Sequence, residues 1–287
     1  LLMVIITTLL WAWLPILQKI ALKEFSPGTV VAFRFLSAFI ILYPWLQLKG
    51  SNPWAIIRRP PFLGVLAGVC LAGNYYGMIK GIHLSTPTNT AIMIQLAPVI
   101  LVFVGMFYFN ERLKRPQIFG GVAAAIGFLL FYMDQKNHTI DKELFDFANY
   151  YILFAAFVWV GFMVCQKLLK QDAQLLNLLI FGTAAIVLLP WMQWSELAGA
   201  SFGYWLLIIS LGLNTLIAYG TLGEAVKCLP LSYISVIVTL NPLITLAAMQ
   251  VLPIINPAWV EAEALGAVGY IGALGAIAGV VMVVKNH

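Results

Sequence analysis

The feature that most restricts how this chain can fold is a succession of continuous apolar runs, each about 20 residues long. A helix of that length crosses a hydrocarbon core of roughly 30 Å, and only helices or closed barrels pair every backbone polar group inside lipid. Barrel strands alternate apolar and polar residues, and these runs do not alternate. The sequence therefore predicts an all-α membrane protein.

The composition agrees with this interpretation. Hydrophobic residues make up 62% of the chain and charged residues only 9%, whereas soluble domains carry about 25% charged residues. The mean hydropathy is +0.95. A soluble fold of 287 residues cannot hide so much apolar surface. A soluble protein with an unusually apolar core is therefore only the minor alternative.

Ten spans are predicted, and we number them in chain order: 2–20, 27–46, 62–81, 87–109, 117–134, 149–168, 174–192, 203–227, 231–252 and 264–284. The first run lacks a small-residue cleavage site, so we interpret it as a true span and not as a signal peptide. The longest loop, 135–148, connects two halves of five spans each, 1–134 and 149–287, within one membrane domain.

The second half repeats the pattern of the first. Between Tyr75 and Glu111 the match needs no gap at an offset of 144 residues. This offset pairs Tyr75 with Tyr219, Lys80 with Glu224, Thr88 with Ser232, Gln95 with Thr239 and Pro98 with Pro242. Outside this block, Trp11 and Gln18 match Trp159 and Gln166, and Gly120 and Gly127 match Gly272 and Gly279 at an offset of 152. Because five spans per copy is an odd number, the sequence predicts two inverted five-helix repeats, the plan of many secondary transporters.

Lysine and arginine indicate which side of the membrane each loop faces, because they are retained in the cytoplasm. With the N-terminus inside, ten of these residues fall at cytoplasmic span ends and loops and five at outside ones, while Arg34 lies within span 2. Both termini are therefore predicted to be cytoplasmic. The net charge of +5 mostly reflects this bias, and no basic stripe for nucleic acid exists outside the span ends.

Polar and aromatic side chains near the middle of the spans mark a candidate binding site, because a polar group in hydrocarbon is costly unless it faces a cavity or a partner. The candidate substrate-binding residues are Trp11, Trp13, Asn74, Tyr75, Gln95, Trp159, Asn214, Tyr219 and Asn241. They lie in spans 1, 3 and 4 and in the equivalent spans 6, 8 and 9, which predicts a central path lined by these six spans. Interfacial anchoring of the aromatic residues, and interhelical hydrogen bonds for Gln95 and Asn241, stay open as alternatives.

Four residues are candidates for gates or hinges: Lys80, Pro98, Glu224 and Pro242. The two prolines are predicted to free backbone carbonyls one turn earlier, and a simple packing bend is equally compatible. Inversion places Lys80 and Glu224 near opposite membrane faces, where they either contact substrate or only snorkel to the interface. Arg34 is expected to reach the outer interface or to pair with a loop acid such as Glu24.

No pattern typical of an enzyme or of ATP-driven transport is present. There is no HExxH, no GxSxG and no phosphate-binding glycine loop followed by lysine. The single cysteines Cys70, Cys165 and Cys228 are interpreted as packing residues. No catalytic residue, metal or cofactor is therefore expected. The expected partners are a small-molecule substrate and the lipid bilayer.

Glycines recur at a spacing of four in span 3, as at Gly64 and Gly68 and at Gly77 and Gly81. Such pairs let helix backbones approach closely. Packing within the bundle is the first interpretation, and a homodimer face is the alternative.

Several of these motifs together resemble the drug/metabolite transporter superfamily, specifically its EamA-type ten-helix permeases. The resemblance covers nearly the whole chain and is carried by Ala32-Phe33-Arg34-Phe35-Leu36, Ser85-Thr86-Pro87-Thr88-Asn89-Thr90-Ala91, Gln95-Leu96-Ala97-Pro98, Asn110-Glu111-Arg112-Leu113 and Gln117-x2-Gly120. The second half departs from the pattern at 251–255, where an acidic-basic span end is missing.

The resemblance implies an inner-membrane carrier, often an exporter of amino acids or related metabolites, that works by alternating access. We therefore expect a secondary transporter, and an exporter rather than an importer, of small organic metabolites with aromatic or apolar amino acids favoured. A multidrug or toxic-metabolite exporter of the same fold is the alternative, and a membrane scaffold or receptor without transport is a more distant one.

Overall fold

The computed structural model describes residues 1–108, 114–169, 172–229, 231–256 and 258–285, with all side chains in these ranges except those at 227, 231, 232 and 235. The predicted end of span 4 at 109, the charges of Glu111 and Arg112, and His287 lie outside the described residues. Ten helices in the described part are long and apolar enough to cross a membrane: Leu2–Ala21, Pro27–Leu48, Phe62–Leu84, Pro87–Tyr108, Arg115–His138, Lys142–Leu168, Ala173–Trp191, Phe202–Val226, Val236–Ile255 and Ala267–Lys285. These are spans 1 to 10, and they confirm the all-α membrane fold.

Spans 4 and 9 are each interrupted near the middle. In span 4 the helix Pro87–Met93 gives way to Leu96–Tyr108, and in span 9 Leu231–Val238 gives way to Asn241–Ile255. In each span a proline lies in the first turn of the second helix, Pro98 in span 4 and Pro242 in span 9. The interruption precedes this proline because proline has no N–H to donate to the preceding turn. In span 4 the carbonyl of Ile94 accepts from the N–H of Ala97 at 3.0 Å, so the expected free acceptor is taken by a tighter turn.

The predicted connecting loop 135–148 is wrong in extent, since most of it is helical. Span 5 continues to His138 and span 6 already begins at Lys142. The Asp141 side chain accepts from the N–H of Leu144 at 2.9 Å and caps span 6, while Lys136 and Asp146 form an ion pair of 2.7 Å between the two helices. The predicted spans end where charged residues interrupt the apolar run, whereas the helices continue through these charged residues.

Spans 5 and 10 pack backbone to backbone through glycines. A side chain at Gly120 would lie 2.7 Å from the carbonyl oxygen of Gly279, and one at Gly127 would lie 2.7 Å from that of Gly272. In span 3, Gly68 faces Thr183 of span 7 and Gly77 faces the Tyr151 carbonyl of span 6. The glycine pairs therefore serve helix contacts within the chain, which is the first of the two predicted uses.

Two apolar clusters organise the bundle, and each draws on both halves of the chain. The larger one joins spans 1, 2, 3, 6, 7 and 8, and a second joins spans 4, 5, 9 and 10. Spans 2 and 7 run in opposite directions, since Gly28 approaches Trp191 and Phe39 approaches Gly182. We call the membrane face where spans 1, 3 and 7 end the Lys19 side, and the face where spans 2 and 8 end the Lys49 side.

Candidate functional site

Three of the predicted site residues meet in the centre of the larger cluster. The hydroxyls of Tyr75 in span 3 and Tyr219 in span 8 lie 3.2 Å apart, and both side chains are buried. The ring of Trp11 in span 1 meets that of Tyr219 edge to face, with centroids 5.8 Å apart. The indole nitrogen of Trp11 is buried without a hydrogen-bond partner among the described residues. Spans 1, 3 and 8 thus meet at an aromatic centre with unused polar capacity.

Arg34 belongs to this centre, contrary to the expectation that it reaches the interface or pairs with Glu24. Its side chain is 0% exposed, its Nε donates to the hydroxyl of Thr215, and its Cζ lies 4.4 Å from the centroid of the Tyr75 ring. Span 2 carries it inward because this span packs on spans 7 and 8. The sequence signal was an arginine inside an apolar run, but its depth and its contact with Tyr75 were not predictable.

Asn74 and Asn214 act as interhelical hydrogen-bond donors. Asn74 donates to the carbonyl of Ala155 in span 6, and Asn214 donates to the carbonyl of Leu10 in span 1, each at 2.9 Å. Both side chains are buried. They join spans 3 and 8 to their neighbours, and the Oδ1 atom of Asn214 remains without a partner among the described residues.

Gln95 and Asn241 meet where the broken spans 4 and 9 approach each other. The Nε2 atom of Gln95 lies 3.4 Å from Oδ1 of Asn241, a long hydrogen bond. On the next turn of span 9, the hydroxyl of Thr245 donates to the carbonyl of Ala12 in span 1 at 2.7 Å. Polar groups therefore join spans 1, 4 and 9 at the interruptions.

The remaining tryptophans are less central. Trp159 is half-buried, stacks at 5.0 Å on Phe162 of its own span, and touches the larger cluster from span 6. Trp13 is 40% exposed and lies about 200° around the helix from Trp11, because the two are two residues apart. The structure does not bring Trp13 to the aromatic centre.

Lys80 and Glu224 are far apart. Lys80 lies over the ring of Tyr76, which packs against Trp191 at the end of span 7, whereas Glu224 accepts from Gln174 at the start of span 7. The two ends of this span are separated by 17 residues, or about 25 Å. Any gating role of these two charges would therefore be exerted separately on the two sides.

A charged cluster on the Lys19 side was missed by the sequence analysis. The Nζ atom of Lys19 donates to the carbonyls of Ile82 and Ser85 at 2.9 and 2.8 Å and caps the end of span 3. Glu263, from the connection between spans 9 and 10, accepts from the N–H of Thr88 at 3.3 Å and caps the start of span 4. Burial raises the pKa of Glu263 above the ordinary carboxyl value, against the opposing effects of Thr88, Thr86 and Lys19. Three segments are thus joined across this side.

A cavity of about 400 Å³ lies between spans 1, 2, 7 and 8, in the half of the bundle nearer the Lys49 side. Lys49 and Glu224 lie at its polar end, and Leu42, Phe181 and Leu216 form its apolar wall. Phe181 connects the cavity with the aromatic centre, since its ring lies 5.5 Å from that of Tyr219. Spans 2 and 7, which are not among the six spans predicted to line the central path, therefore contribute to this cavity.

The sequence is similar to those of known membrane transporters. Residues 1–133 match the EamA-like transporter family. The uncharacterized inner membrane transporter YhbE of Escherichia coli (strain K12) is 30% identical over 295 aligned positions, which cover 100% of this chain and 91% of that protein. The S-adenosylmethionine uptake transporter of Rickettsia conorii is 25% identical over 217 positions, which cover 73% of this chain and 71% of that protein.

A solved crystal structure shares the fold. It superposes with a TM-score of 0.66 at 16% sequence identity, over 98% of this chain and 94% of the other. The named relatives are transporters, so the comparisons indicate transport and not an enzymatic activity.

Proposed function

Since the chain belongs to the EamA-like transporter family of the drug/metabolite transporter superfamily and is a multi-pass inner-membrane transporter, we propose that it exports small organic metabolites, aromatic and apolar amino acids in particular. Solutes pass by alternating access through a central path between spans 1, 3, 4, 6, 8 and 9, which they enter from the cavity between spans 1, 2, 7 and 8. The observation that carries the proposal is the aromatic centre of Trp11, Tyr75 and Tyr219 beside a cavity with an apolar wall.

The packing of repeat-related residues supports two inverted halves. Tyr75 contacts Tyr219, its own equivalent, as residues on a two-fold axis do. Gly120 faces Gly279 while Gly127 faces Gly272. Replacing each glycine by its repeat equivalent turns the first contact into the second, as a two-fold axis between spans 5 and 10 requires. The two connections that each carry a six-residue helix, Pro53–Arg58 and Trp194–Gly199, also occupy equivalent places. Inverted repeats of this kind place substrate near the middle of the membrane.

The position of the cavity supports export as the proposed direction. The cavity lies nearer the Lys49 side, which the lysine and arginine distribution predicts to be cytoplasmic. The Lys19 side is held by Lys19 and Glu263 across spans 1, 3 and 4. With this orientation, a cytoplasmic solute would be nearer to the cavity than a periplasmic one. The Rickettsia relative is named for uptake, which makes direction a quantity to measure.

Substrate class and direction are tested together in proteoliposomes. A panel of labelled amino acids and amphipathic drugs is followed in both flux directions, with and without a proton gradient. We expect flux of phenylalanine and leucine above protein-free liposomes, faster in the export direction. Flux of drugs alone supports the multidrug alternative, and no flux of any solute contradicts the proposed function.

A further inference from the structure

The charge of Arg34 has no counterpart in the aromatic centre. Arginine keeps its proton in proteins, and a cation inside a membrane helix costs several kcal/mol unless it is compensated. Among the described residues no acid pairs with Arg34, and both terminal nitrogens, Nη1 and Nη2, are buried without a hydrogen-bond partner. Thr215 and the face of the Tyr75 ring satisfy only part of the guanidinium. Most N–H groups of the guanidinium therefore remain available to an anion.

The cavity on the Lys49 side lies beside the aromatic side chains that surround this guanidinium. Leu216 in its wall directly follows Thr215, the residue that binds Arg34. Phe181, also in the wall, packs at 6.0 Å on Phe35 and at 5.5 Å on Tyr219. Aromatic side chains thus form the boundary between the cavity and the centre that contains Arg34. A volume of about 400 Å³ is within the size range of small-molecule sites.

We propose that the cavity between spans 1, 2, 7 and 8 binds an organic carboxylate with an apolar or aromatic body, and that Arg34 holds its carboxylate. This inference rests on the proposed function, because it names the chemical class of the transported solute. The planar guanidinium presents paired N–H groups that match the two oxygens of a carboxylate. Leu42, Phe181 and Leu216 accommodate the apolar body.

Binding in this way requires the aromatic boundary to open. A carboxylate reaches Nη1 and Nη2 only if Tyr219 or Phe181 rotates, and rotation of Tyr219 breaks its 3.2 Å hydrogen bond to Tyr75. The ion pair formed with Arg34 offsets the loss of this bond. Ligand binding at the cavity is thereby coupled to the contact between spans 3 and 8.

The test compares L-phenylalanine with L-phenylalaninamide, which has the same body but no carboxylate. Binding to purified wild-type protein is followed by ligand-induced thermal stabilisation. Hydrogen bonds between charged groups predict tighter binding of phenylalanine by about 10- to 100-fold. Arg34→Gln is expected to abolish this preference, because it weakens the binding of phenylalanine more than that of the amide, and Arg34→Lys is expected to keep part of it. Arg59→Gln removes an exposed arginine outside the cavity and is expected to keep all of it.

A purely structural role for Arg34 predicts a different result, in which Arg34→Gln lowers the melting temperature but retains the ratio between the two probes. That retained ratio overturns the inference. If Arg34→Gln does not fold, the wild-type comparison decides, because equal binding of the two probes, or binding of neither, also overturns it. If phenylalanine binds selectively but is not transported, the proposed function is contradicted and the inference stands. If phenylalanine and its amide are transported equally well, the proposed function stands and the inference is contradicted.

Discussion

At the scale of single residues, several buried polar side chains are received by a neighbouring helix. Asn74, Asn214 and Thr245 each donate to a backbone carbonyl of a neighbouring span. Tyr75 and Tyr219 instead meet each other across the centre. The first group connects helices from side chain to backbone, whereas the tyrosine pair connects spans 3 and 8 from side chain to side chain.

The tyrosine contact can be tested by a double-mutant cycle. Tyr75→Phe and Tyr219→Phe each remove one hydroxyl and leave the other buried, so each single change is expected to destabilise the protein by about 1–3 kcal/mol. The double variant is expected to cost less than the sum, with a coupling of about 1 kcal/mol. Unfolding of the four proteins in detergent measures this coupling, and strictly additive effects would show that the hydroxyls do not interact.

The sequence identified both tyrosines as candidate site residues but did not predict their contact or its surroundings. The repeat offset made Tyr75 and Tyr219 equivalent, and residues that are equivalent under a two-fold axis meet when they lie on it. Arg34 has no such partner in the pattern. Its burial depends on how spans 2, 7 and 8 pack together, and helical periodicity along one span does not contain that information.

At the scale of helices, the contact between spans 5 and 10 depends on the absence of side chains. Gly127→Ala is expected to destabilise the protein by about 1–3 kcal/mol, because the new methyl group would overlap the backbone of Ala276 and Gly272. Gly121, in the same helix, has open space around its Cβ position. Gly121→Ala is therefore the matched control and is expected to be neutral or slightly stabilising. Equal effects on the unfolding midpoint would contradict close packing at Gly127.

The connection between spans 9 and 10 predicts a pH dependence. Burial raises the pKa of Glu263, so the folded state favours the protonated form. The stabilising contribution is complete below the ordinary carboxyl pKa of about 4.3 and is lost as the pH rises through the raised value. Glu263→Gln mimics the protonated form. As the pH rises from acid to neutral, the wild type loses this contribution and the variant does not. The melting temperature of Glu263→Gln minus that of wild type is therefore expected to increase over this range.

Glu261 provides the control for this experiment, because it lies exposed in the same connection. Glu261→Gln is expected to show no comparable trend across the pH series. A constant difference between Glu263→Gln and wild type from pH 4 to 8 would mean that Glu263 is as ionised in the folded protein as in the unfolded chain.

Helix positions were largely predictable from the sequence, whereas helix ends were not. The hydrocarbon core selects continuous apolar runs, and this constraint is local in sequence. The start of span 6 was misplaced by seven residues, at 149 instead of Lys142. There the helix extends past the apolar run because Asp141 caps it and Lys136 pairs with Asp146, and these contacts depend on a neighbouring span.

At the scale of the whole molecule, the inverted arrangement makes a prediction about topology. Arg59 and Ala198 are both exposed and lie in equivalent connections, between spans 2 and 3 and between spans 7 and 8. In a background without Cys70, Cys165 and Cys228, Ala198→Cys is expected to react with a membrane-impermeant maleimide in intact cells. Arg59→Cys is expected to react only after permeabilisation. Labelling of both from the same side would contradict inversion.

The most direct test of carrier function is counterflow in proteoliposomes. Unlabelled L-phenylalanine is trapped inside at high concentration, and trace labelled L-phenylalanine is added outside. A carrier that alternates around a central site exchanges the two, so the account predicts transient accumulation of label above equilibrium, absent from protein-free liposomes. Equilibration without overshoot, or no exchange for any aromatic or apolar amino acid, would contradict a carrier for these solutes.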